Sequence, residues 1–394
     1  MSDDFGPLLL GCGVQSTVLA SAIWFATNNA TANRRLALVL LVLAGMTSVY
    51  VLGWAGRAEA PPWLAFMPLN MPLALGPLLY AYLRTLATGH DVEHPLRHYG
   101  PAAAYFVYCC VVLALPGPTR AEFKDNVHDA FIKPMFEAGV LVSLAAYSVA
   151  GLRLLADYRR WLADERSDAD RYGARWIGRI LIALLVTLCA LVFIRLYTWQ
   201  VDEVEVGPLY VWLGVWSAWL GIEGWRYSER RFPAMVAQAP ATVSQTSAST
   251  DPDWATLGAR WRDMTKAAGW WREPDLTLGE LARRLGTNTN YLSHAINDGL
   301  GFNFNTMVNR MRAEEVARLL DAGQGGNLLQ TALDAGFSSK ATFNRAFREM
   351  YGQSPSTHRG QLKSRILEPE GDFEASKRTS TRDVGSAETQ AETQ

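Results

Sequence analysis

Residues 276–359 decide the fold of the C-terminal part of this chain, and they read LTLGELARRLGTNTNYLSHAINDGLGFNFNTMVNRMRAEEVARLLDAGQGGNLLQTALDAGFSSKATFNRAFREMYGQSPSTHR. One pattern occurs twice: a small residue, a glycine four positions later, and then two apolar residues four positions apart. The pattern is formed by Ala282, Gly286, Leu292 and Ile296 in the first copy and by Ala332, Gly336, Phe343 and Phe347 in the second. Because a helix-turn-helix needs a small residue where its helices cross, a glycine at the turn and apolar anchors beyond it, the repeat predicts two helix-turn-helix units.

Local signals place the helices around these units. Thr277 followed by Glu280 is a capping box, which predicts the start of the first unit. The amphipathic run from Asn305 to Leu320 is predicted to join the two units as one helix. A further helix is predicted from Trp254 to Trp271, since its apolar residues share a face, and we expect it to pack against the first unit.

The second helix of each unit is expected to enter the major groove of double-stranded DNA, where side chains near its N-terminus meet base edges. The side chains that point away from the predicted core are Thr289, Asn290, Ser293 and His294 in the first unit and Lys340, Ala341, Asn344 and Arg345 in the second. Asn suits adenine, Arg and Lys suit guanine, and Ser or His can bond to several base edges. The alternative, a merely solvated helix face, is less favoured because polar side chains fall at the recognition positions of both units.

Four arginines near these helices are candidates for phosphate contacts or for structural ion pairs: Arg310, Arg312, Arg348 and Arg359. Lys and Arg exceed Asp and Glu by 15 to 10 between Trp254 and Arg365. This mild basic excess suits contact with phosphates, although it would not identify DNA binding by itself.

The stretch resembles the AraC/XylS-type DNA-binding domain. Its second half has the Gly-Phe, Phe-x-Arg-x-Phe and Gly-x-x-Pro elements and the terminal Arg of that family's signature, and its first half departs at His294, where the family usually has Arg. The segments LSHAIND, GFNF and VNRMR within residues 292–312 resemble the branch of this family that carries a multi-spanning membrane domain. The resemblance therefore implies a membrane-bound, sequence-specific transcription regulator without enzymatic activity, cofactor or metal.

The N-terminal part is dominated by apolar runs, and Lys occurs there only at Lys124 and Lys133 before residue 233. Seven runs approach the roughly 20 residues that a membrane-spanning helix needs. They are Pro7–Ala26, Leu36–Trp54, Trp63–Leu86, Tyr99–Leu115, Phe131–Ala156, Ile177–Trp199 and Gly207–Trp225. The fold expected from the whole sequence is thus all-α: an N-terminal bundle of about seven transmembrane helices followed by a double helix-turn-helix domain.

The basic residues predict the orientation in the inner membrane. Alternate connections are rich in Arg: they hold Arg34 and Arg35, Arg84 and Arg97, a group that includes Arg159 and Arg160, and a last group that includes Arg230. The remaining connections hold few basic residues, so the positive-inside rule puts the N-terminus outside and the DNA-binding domain in the cytoplasm. The domain boundaries expected are 1–231 for the membrane domain, 232–252 for a flexible linker, 253–365 for the DNA-binding domain and 366–394 for a disordered tail.

Glu137 and Arg195 fall within predicted spans, where ionisable side chains are costly and usually paired or functional. They are predicted to pair with each other or to hold a charged ligand. The expected partners are double-stranded DNA, the lipid bilayer and an unknown small-molecule or protein signal, and a homodimer is left open. The alternative function is a membrane transporter or enzyme with an appended regulatory DNA-binding domain, but the runs contain no paired carboxylates or nucleophile sets that would favour it.

Overall fold

The computed structural model describes residues 5–55, 62–169, 174–198, 207–230, 232–235 and 252–367. In these ranges the regular secondary structure is helical, and the only strand-like pairing is an isolated antiparallel bridge between Arg166 and Thr277. The predicted all-α fold is therefore confirmed. The chain forms two compact units: one comprises Met1–Trp161 and Tyr172–Val243, and the other comprises Leu162–Arg171 and Ser244–Gln394.

Eight α-helices belong wholly or mainly to the described part of the first unit. They are α1 (Gly6–Trp24), α2 (Ala30–Ala55), α3 (Pro72–Thr88), α4 (Pro95–Leu113), α5 (Gly117–Phe123), α6 (Lys133–Glu165), α7 (Ala174–Thr198) and α8 (Gly207–Ser228). A 3-10 helix, Pro62–Phe66, precedes α3, and a π-helix, Lys124–Ile132, joins α5 to α6.

Helix α8 packs closely against α1 and α2 because glycines line its contact face. A Cβ atom added at Gly214 or Gly221 would lie 2.8 Å from a methyl carbon of Leu9 or Leu19, respectively. The buried hydroxyl of Ser16 on α1 also donates to the Ser217 hydroxyl on α8, over 2.9 Å. The small side chains therefore allow the helix axes to approach, as small residues do at helix contacts within membranes.

The prediction of about seven spanning helices is wrong by the criterion of length and composition: four helical stretches are apolar and long enough to cross a membrane among the residues described. They are Gly6–Trp24, Ala30–Gly53, Gly117–Glu165 and Arg175–Tyr197. The runs predicted at 63–86, 99–115 and 207–225 are helical for much of their length but do not reach that criterion.

The physical reasons differ among the three. Helix α3 has 17 residues, because Pro72 starts it late, and its length of about 25 Å falls short of a hydrocarbon core of about 30 Å. Helix α4 begins with polar residues, including Arg97 and His98. Helix α8 has 22 residues, but its many Trp, Tyr and Gly residues and the charged Glu223 reduce its hydropathy.

Seven further helices form the described part of the second unit. They are α9 (Trp254–Ala268), α10 (Leu278–Arg284), α11 (Thr289–His294), α12 (Phe304–Asp321), α13 (Leu328–Asp334), α14 (Lys340–Tyr351) and α15 (Pro355–Leu367). Helix α9 is shorter than the predicted Trp254–Trp271 because Gly269, at φ 71°, ends it in the left-handed region; a 3-10 turn, Trp270–Arg272, follows. Helix α12 lies within one residue of its predicted span at each end.

The core of this unit is one hydrophobic cluster to which both helix-turn-helix copies contribute. The anchors predicted from the repeat, Leu292 and Ile296 in the first copy and Phe343 and Phe347 in the second, are all buried in it. Most of the predicted linker 232–252 and of the predicted tail 366–394 lies outside the described residues.

Candidate nucleic-acid interface

The first helix-turn-helix consists of α10 and α11. The Thr277 hydroxyl accepts a hydrogen bond from the Glu280 amide and caps α10, as the capping box predicts. The turn contains Gly286 at φ 70°, a conformation that favours glycine. Asn288 then caps α11, since its side-chain oxygen accepts from the Tyr291 amide over 2.8 Å. These local interactions fix where the recognition helix of the first unit begins.

The second unit, α13 and α14, is built in the same way. Asn327 caps α13, and Ser339 caps α14 by accepting from the Thr342 amide over 3.2 Å. Gly336, at φ 92°, forms the turn between these helices. A Cβ atom at this position would overlap the Arg272 carbonyl oxygen and would lie 2.8 Å from its carbonyl carbon. Glycine is therefore required at this turn for two reasons: the backbone angle is unfavourable for other residues, and the turn packs closely against the chain that follows α9.

The predicted base-contacting residues of the first unit lie at the surface of α11, where none is buried. His294 has the most exposed side chain among them, at 61%, and its Nδ1 lies 2.7 Å from a carboxylate oxygen of Asp298. The Trp254 ring of α9 stacks on His294 with centroids 5.5 Å apart. These contacts restrict the imidazole orientation, while Ser293 is hydrogen-bonded to the Asn297 amide group.

The second recognition helix, α14, offers a shallow groove lined by Ala341, Asn344, Arg345, Arg348 and Glu349. Three of the four predicted base-contacting residues of this unit line the groove, and the fourth, Lys340, is exposed at the first turn of α14. The Arg345 Nε atom lies 3.6 Å from a carboxylate oxygen of Glu349, one helical turn away. An exposed pair of this kind is weak.

Three of the four arginines proposed for phosphate contacts reach the surface. Arg310 is exposed on α12 with its guanidinium 4.7 Å from the Phe302 ring centroid, and Arg348 is exposed on α14. Arg359 is half-buried and donates to the Gly326 carbonyl oxygen over 3.1 Å, so it also holds α15 against the loop that precedes α13.

Arg312 is the exception, and the prediction that it contacts phosphate is wrong for this structure because the residue is only 1% exposed. Its guanidinium donates to the carbonyl oxygens of Trp271 and Glu273 and to the side-chain oxygens of Asn309 and Ser167. Burial lowers the pKa of Arg312 to about 10, and the charge of Asp168 opposes this shift. The residue stays protonated at neutral pH and has the structural role that was the other alternative.

Two contributions to this unit were not predicted from the sequence. Tyr291 is 39% exposed beside the predicted contacts on α11, and its ring packs against Trp254. The segment Glu165–Asp168 packs into the unit from a distant part of the chain, and no local pattern in the sequence marks it. The outward position of Tyr291 could have been found from the helical periodicity, whereas a contact between distant segments requires the tertiary structure.

In the N-terminal compact unit, which contains α6 and α7, the structure brings Glu137 and Arg195 together. A guanidinium nitrogen of Arg195 on α7 lies 3.1 Å from a carboxylate oxygen of Glu137 on α6. This geometry agrees with the predicted pairing, and the role of the pair in ligand binding stays a prediction.

The described helices thus define a double helix-turn-helix DNA-binding unit. Residues 281–361 match the family model described as "Helix-turn-helix domain", which supports the AraC type inferred from the sequence. This match covers both helix-turn-helix copies. The class to which it points, DNA-binding transcription regulators, is not a class of enzymes.

The relatives are similar over the same part of the chain. An uncharacterized HTH-type transcriptional regulator from Staphylococcus aureus strain COL is 35% identical over 86 residues, which is 22% of this chain and 11% of that protein. A second, from Staphylococcus aureus strain MSSA476, matches with the same identity and coverage. The matched region spans about a tenth of the length of these relatives. The C-terminal domain of AraT, a response regulator from Geobacillus stearothermophilus, is 26% identical over 28% of this chain and 88% of that chain, with a TM-score of 0.25.

Proposed function

We propose that the protein is a sequence-specific DNA-binding transcription regulator, held in the inner membrane by residues 1–231 and binding DNA through residues 253–365. The observation that carries the proposal is the pair of capped recognition helices, α11 and α14, on one hydrophobic core with polar side chains outward. Two such helices in one chain could enter successive major grooves, which are about 34 Å apart on one face of the duplex. One chain then covers an asymmetric DNA site, and a homodimer would cover two such sites.

Binding-site selection with the full-length protein and randomised DNA tests this proposal, and Arg345 supplies the sharpest variant. We expect Arg345→Ala to weaken binding to the selected site by about 1–3 kcal/mol and to relax the preference at one base pair. The reason is that Arg345 lines the groove of α14, and its pair with the exposed carboxylate of Glu349, at 3.6 Å, is of the weak surface kind.

Arg348→Ala is the matched control, because Arg348 lies one turn closer to the C-terminus in the same groove and is predicted to contact phosphate. It should weaken binding to all sequences alike and should reduce the slope of log K against log salt by about 0.9. An unchanged base preference in the Arg345→Ala selection would contradict the assignment. Failure of the unmodified protein to enrich any sequence would contradict the proposed function as a whole.

The membrane location is supported by four apolar helices and by the way in which α8 accompanies two of them. At one end of α8, the Asn33 side chain donates to the Ser228 carbonyl oxygen over 3.2 Å. At the other end, the rings of Tyr50 and Tyr210 have centroids 5.0 Å apart. Because α8 follows α2 along its length, we infer that α8 crosses the membrane beside it although it is less apolar.

The orientation is supported by the residues that gather at one end of the first unit. Arg35 pairs with Asp91, and the Met235 amide donates to the Ala87 carbonyl oxygen over 2.7 Å. Both contacts join connections that were assigned to the cytoplasm from their arginines. The end of α3 and the start of α4 therefore lie at the arginine-rich end, and the chain after α8 emerges on that side.

Single-cysteine labelling in intact cells tests this orientation. We expect Glu122→Cys to react with a membrane-impermeant maleimide, because Glu122 is exposed at the end predicted to face outward. His90→Cys, exposed at the arginine-rich end, should react only after permeabilisation. The unmodified chain, with its native cysteines, supplies the background. Labelling of His90→Cys in intact cells would overturn the proposed topology.

The alternative of a transporter or enzyme that carries a DNA-binding appendage is less favoured. The family model matches the helix-turn-helix region, and the relatives described above are named as transcription regulators. A sensor requires only that a small molecule or protein signal prefer one arrangement of the membrane helices. The Glu137–Arg195 pair is the proposed place for a charged ligand to act.

A further inference from the structure

A four-residue segment, Glu165–Asp168, contributes to the DNA-binding unit although more than 100 residues separate it from α10 in the sequence. The segment begins at the last residue of α6, Glu165, and precedes α7. Arg166 forms an antiparallel bridge with Thr277, the residue that caps α10. The segment therefore lies beside the first helix-turn-helix, and we call it the docked segment.

Ser167 is the centre of this contact and is fully buried. Its amide donates to the Leu276 carbonyl oxygen over 3.1 Å, and its hydroxyl lies 3.4 Å from the Pro274 carbonyl oxygen. The Asn305 side chain of α12 donates to the carbonyl oxygens of Arg166 and Ser167 over 3.1 and 2.9 Å. The backbone of the docked segment is thus hydrogen-bonded on two sides, as ordered backbone in a protein interior must be.

Arg312 connects the docked segment to both helix-turn-helix units. Its guanidinium donates to the Ser167 hydroxyl over 3.2 Å, and it also feels the charge of the buried Asp168 carboxylate, which pairs with Arg166 over 3.0 Å. The same guanidinium donates to the Trp271 and Glu273 carbonyl oxygens ahead of α10. It also lies 6.0 Å from the ring centroid of Phe337, in the turn of the second unit.

The contact extends to the first turn of α10 through Glu165. Its carboxylate lies beside the first turn of α10, since a Cβ atom added at Gly279 would be 3.6 Å from a Glu165 carboxylate oxygen. The docked segment therefore joins the start of the first helix-turn-helix to α12, the helix between the two units.

We propose that Glu165–Asp168 is the contact through which the membrane domain controls DNA binding. Its docking surface is formed by Leu276 and Thr277 together with Asn305 and Arg312 of α12. Docked, the segment holds the two recognition helices in the arrangement that binds DNA. Withdrawn, it leaves Arg312 buried without its hydroxyl and carboxylate partners, which loosens that arrangement. The control function rests on the proposed membrane regulator, whereas the docking stands on the contacts alone.

A disulfide between the docked segment and its surface tests the docking in the full-length protein. The Ser167 amide donates to the Leu276 carbonyl oxygen, so the Arg166–Thr277 pair is a non-hydrogen-bonded antiparallel pair. The Cα atoms of such a pair are about 4.5 Å apart, within the range that a disulfide bridges. Arg166→Cys with Thr277→Cys should form a disulfide on mild oxidation in membranes. Neither single variant should form this disulfide. The pair Arg166→Cys with Arg283→Cys should not form one either, because it places the second thiol at an exposed position of α10.

Charge reversal tests the control of DNA binding. Asp168→Arg, with a cation beside Arg312, should prevent the 166–277 disulfide and weaken binding to the selected DNA at least ~10-fold, within the usual range of coupling between sites. Asp157→Arg is the matched control, since Asp157 is an exposed carboxylate of α6 that pairs with Arg160. It should change neither property. The oxidised 166–277 protein should bind DNA as tightly as the reduced one, or more tightly.

The outcomes separate the two proposals. Absence of the disulfide in a protein that binds its DNA would overturn the docking. A disulfide that abolishes DNA binding, or an Asp168→Arg protein with unchanged affinity, would overturn the control by docking. Disulfide formation in a protein that selects no DNA sequence at all would leave the docking in place and overturn the proposed function instead.

Discussion

Replacement of Gly336 by alanine is expected to abolish specific DNA binding. The residue has φ 92°, where an L side chain is strained, and the new Cβ would overlap the backbone carbonyl of Arg272. A strained backbone angle of this kind costs about 1–3 kcal/mol. Because the overlapping atom belongs to backbone rather than to a flexible side chain, the clash adds to the strain, and the turn between α13 and α14 must move. We expect a loss of more than about 4 kcal/mol in local stability, at the high end of single substitutions.

Gly286→Ala is the matched control because it separates strain from clash. Gly286 has φ 70° at the same place in the first unit, but an added Cβ would meet nothing within 4 Å. Its replacement should therefore cost only the strain, about 1–2 kcal/mol. Both variants add a methyl group to the turn glycine of a helix-turn-helix, but only the methyl group at position 336 meets backbone atoms.

Hydrogen exchange of the full-length protein in detergent measures both effects. Amides of α14 should lose nearly all protection in Gly336→Ala, and amides of α11 should exchange only somewhat faster in Gly286→Ala. Equal effects of the two substitutions would contradict the assigned role of the Arg272 carbonyl.

Arg312→Met is expected to have the second large effect. The substitution removes four hydrogen bonds that the buried guanidinium donates, whereas Asp168 keeps its pair with Arg166, whose Nε lies 3.0 Å from a carboxylate oxygen. A buried acceptor left without its donor typically costs about 1–3 kcal/mol, so the four losses together make a large effect. Exchange protection should fall in α12 and in the chain around Trp271, and DNA binding should be lost with it.

Arg310→Met is the control on the same helix, two residues away and exposed over the Phe302 ring. It should leave the exchange protection of α12 nearly unchanged and reduce the salt slope of DNA binding by about 0.9, as expected for one phosphate contact. If Arg312→Met gave this result instead, with protection intact, Arg312 would be a phosphate contact and its structural role would be wrong.

Local sequence signals account for what could be predicted of the DNA-binding unit. Thr277 with Glu280, Gly286 and Gly336 each act within a few residues of chain, through hydrogen bonds or backbone angles that need no distant partner. The four anchors Leu292, Ile296, Phe343 and Phe347 are buried as their spacing predicts. The all-α fold and the helix-turn-helix domain followed from these signals, and the comparisons support the AraC type.

Where prediction from sequence failed, the outcome depended on helix ends or on distant segments. A hydrophobic run does not show that α3 begins only at Pro72. Nor does it show that the glycines of α8 serve its contact with α1. Arg310 and Arg312 lie two positions apart on one amphipathic helix, but Arg310 is exposed and Arg312 is buried. This difference follows from the packing of Trp271 and Ser167 against Arg312, which the sequence of the helix does not show.

The sequence by itself determined the positions of the two helix-turn-helix units and their recognition helices, because periodicity, caps and turn glycines are properties of neighbouring residues. The tertiary structure alone decided which arginine is buried and that Glu165–Asp168 completes the DNA-binding unit. Burial and hydrogen bonding between distant segments depend on how the whole chain packs, and the energy of a buried charge depends on partners that no local pattern identifies.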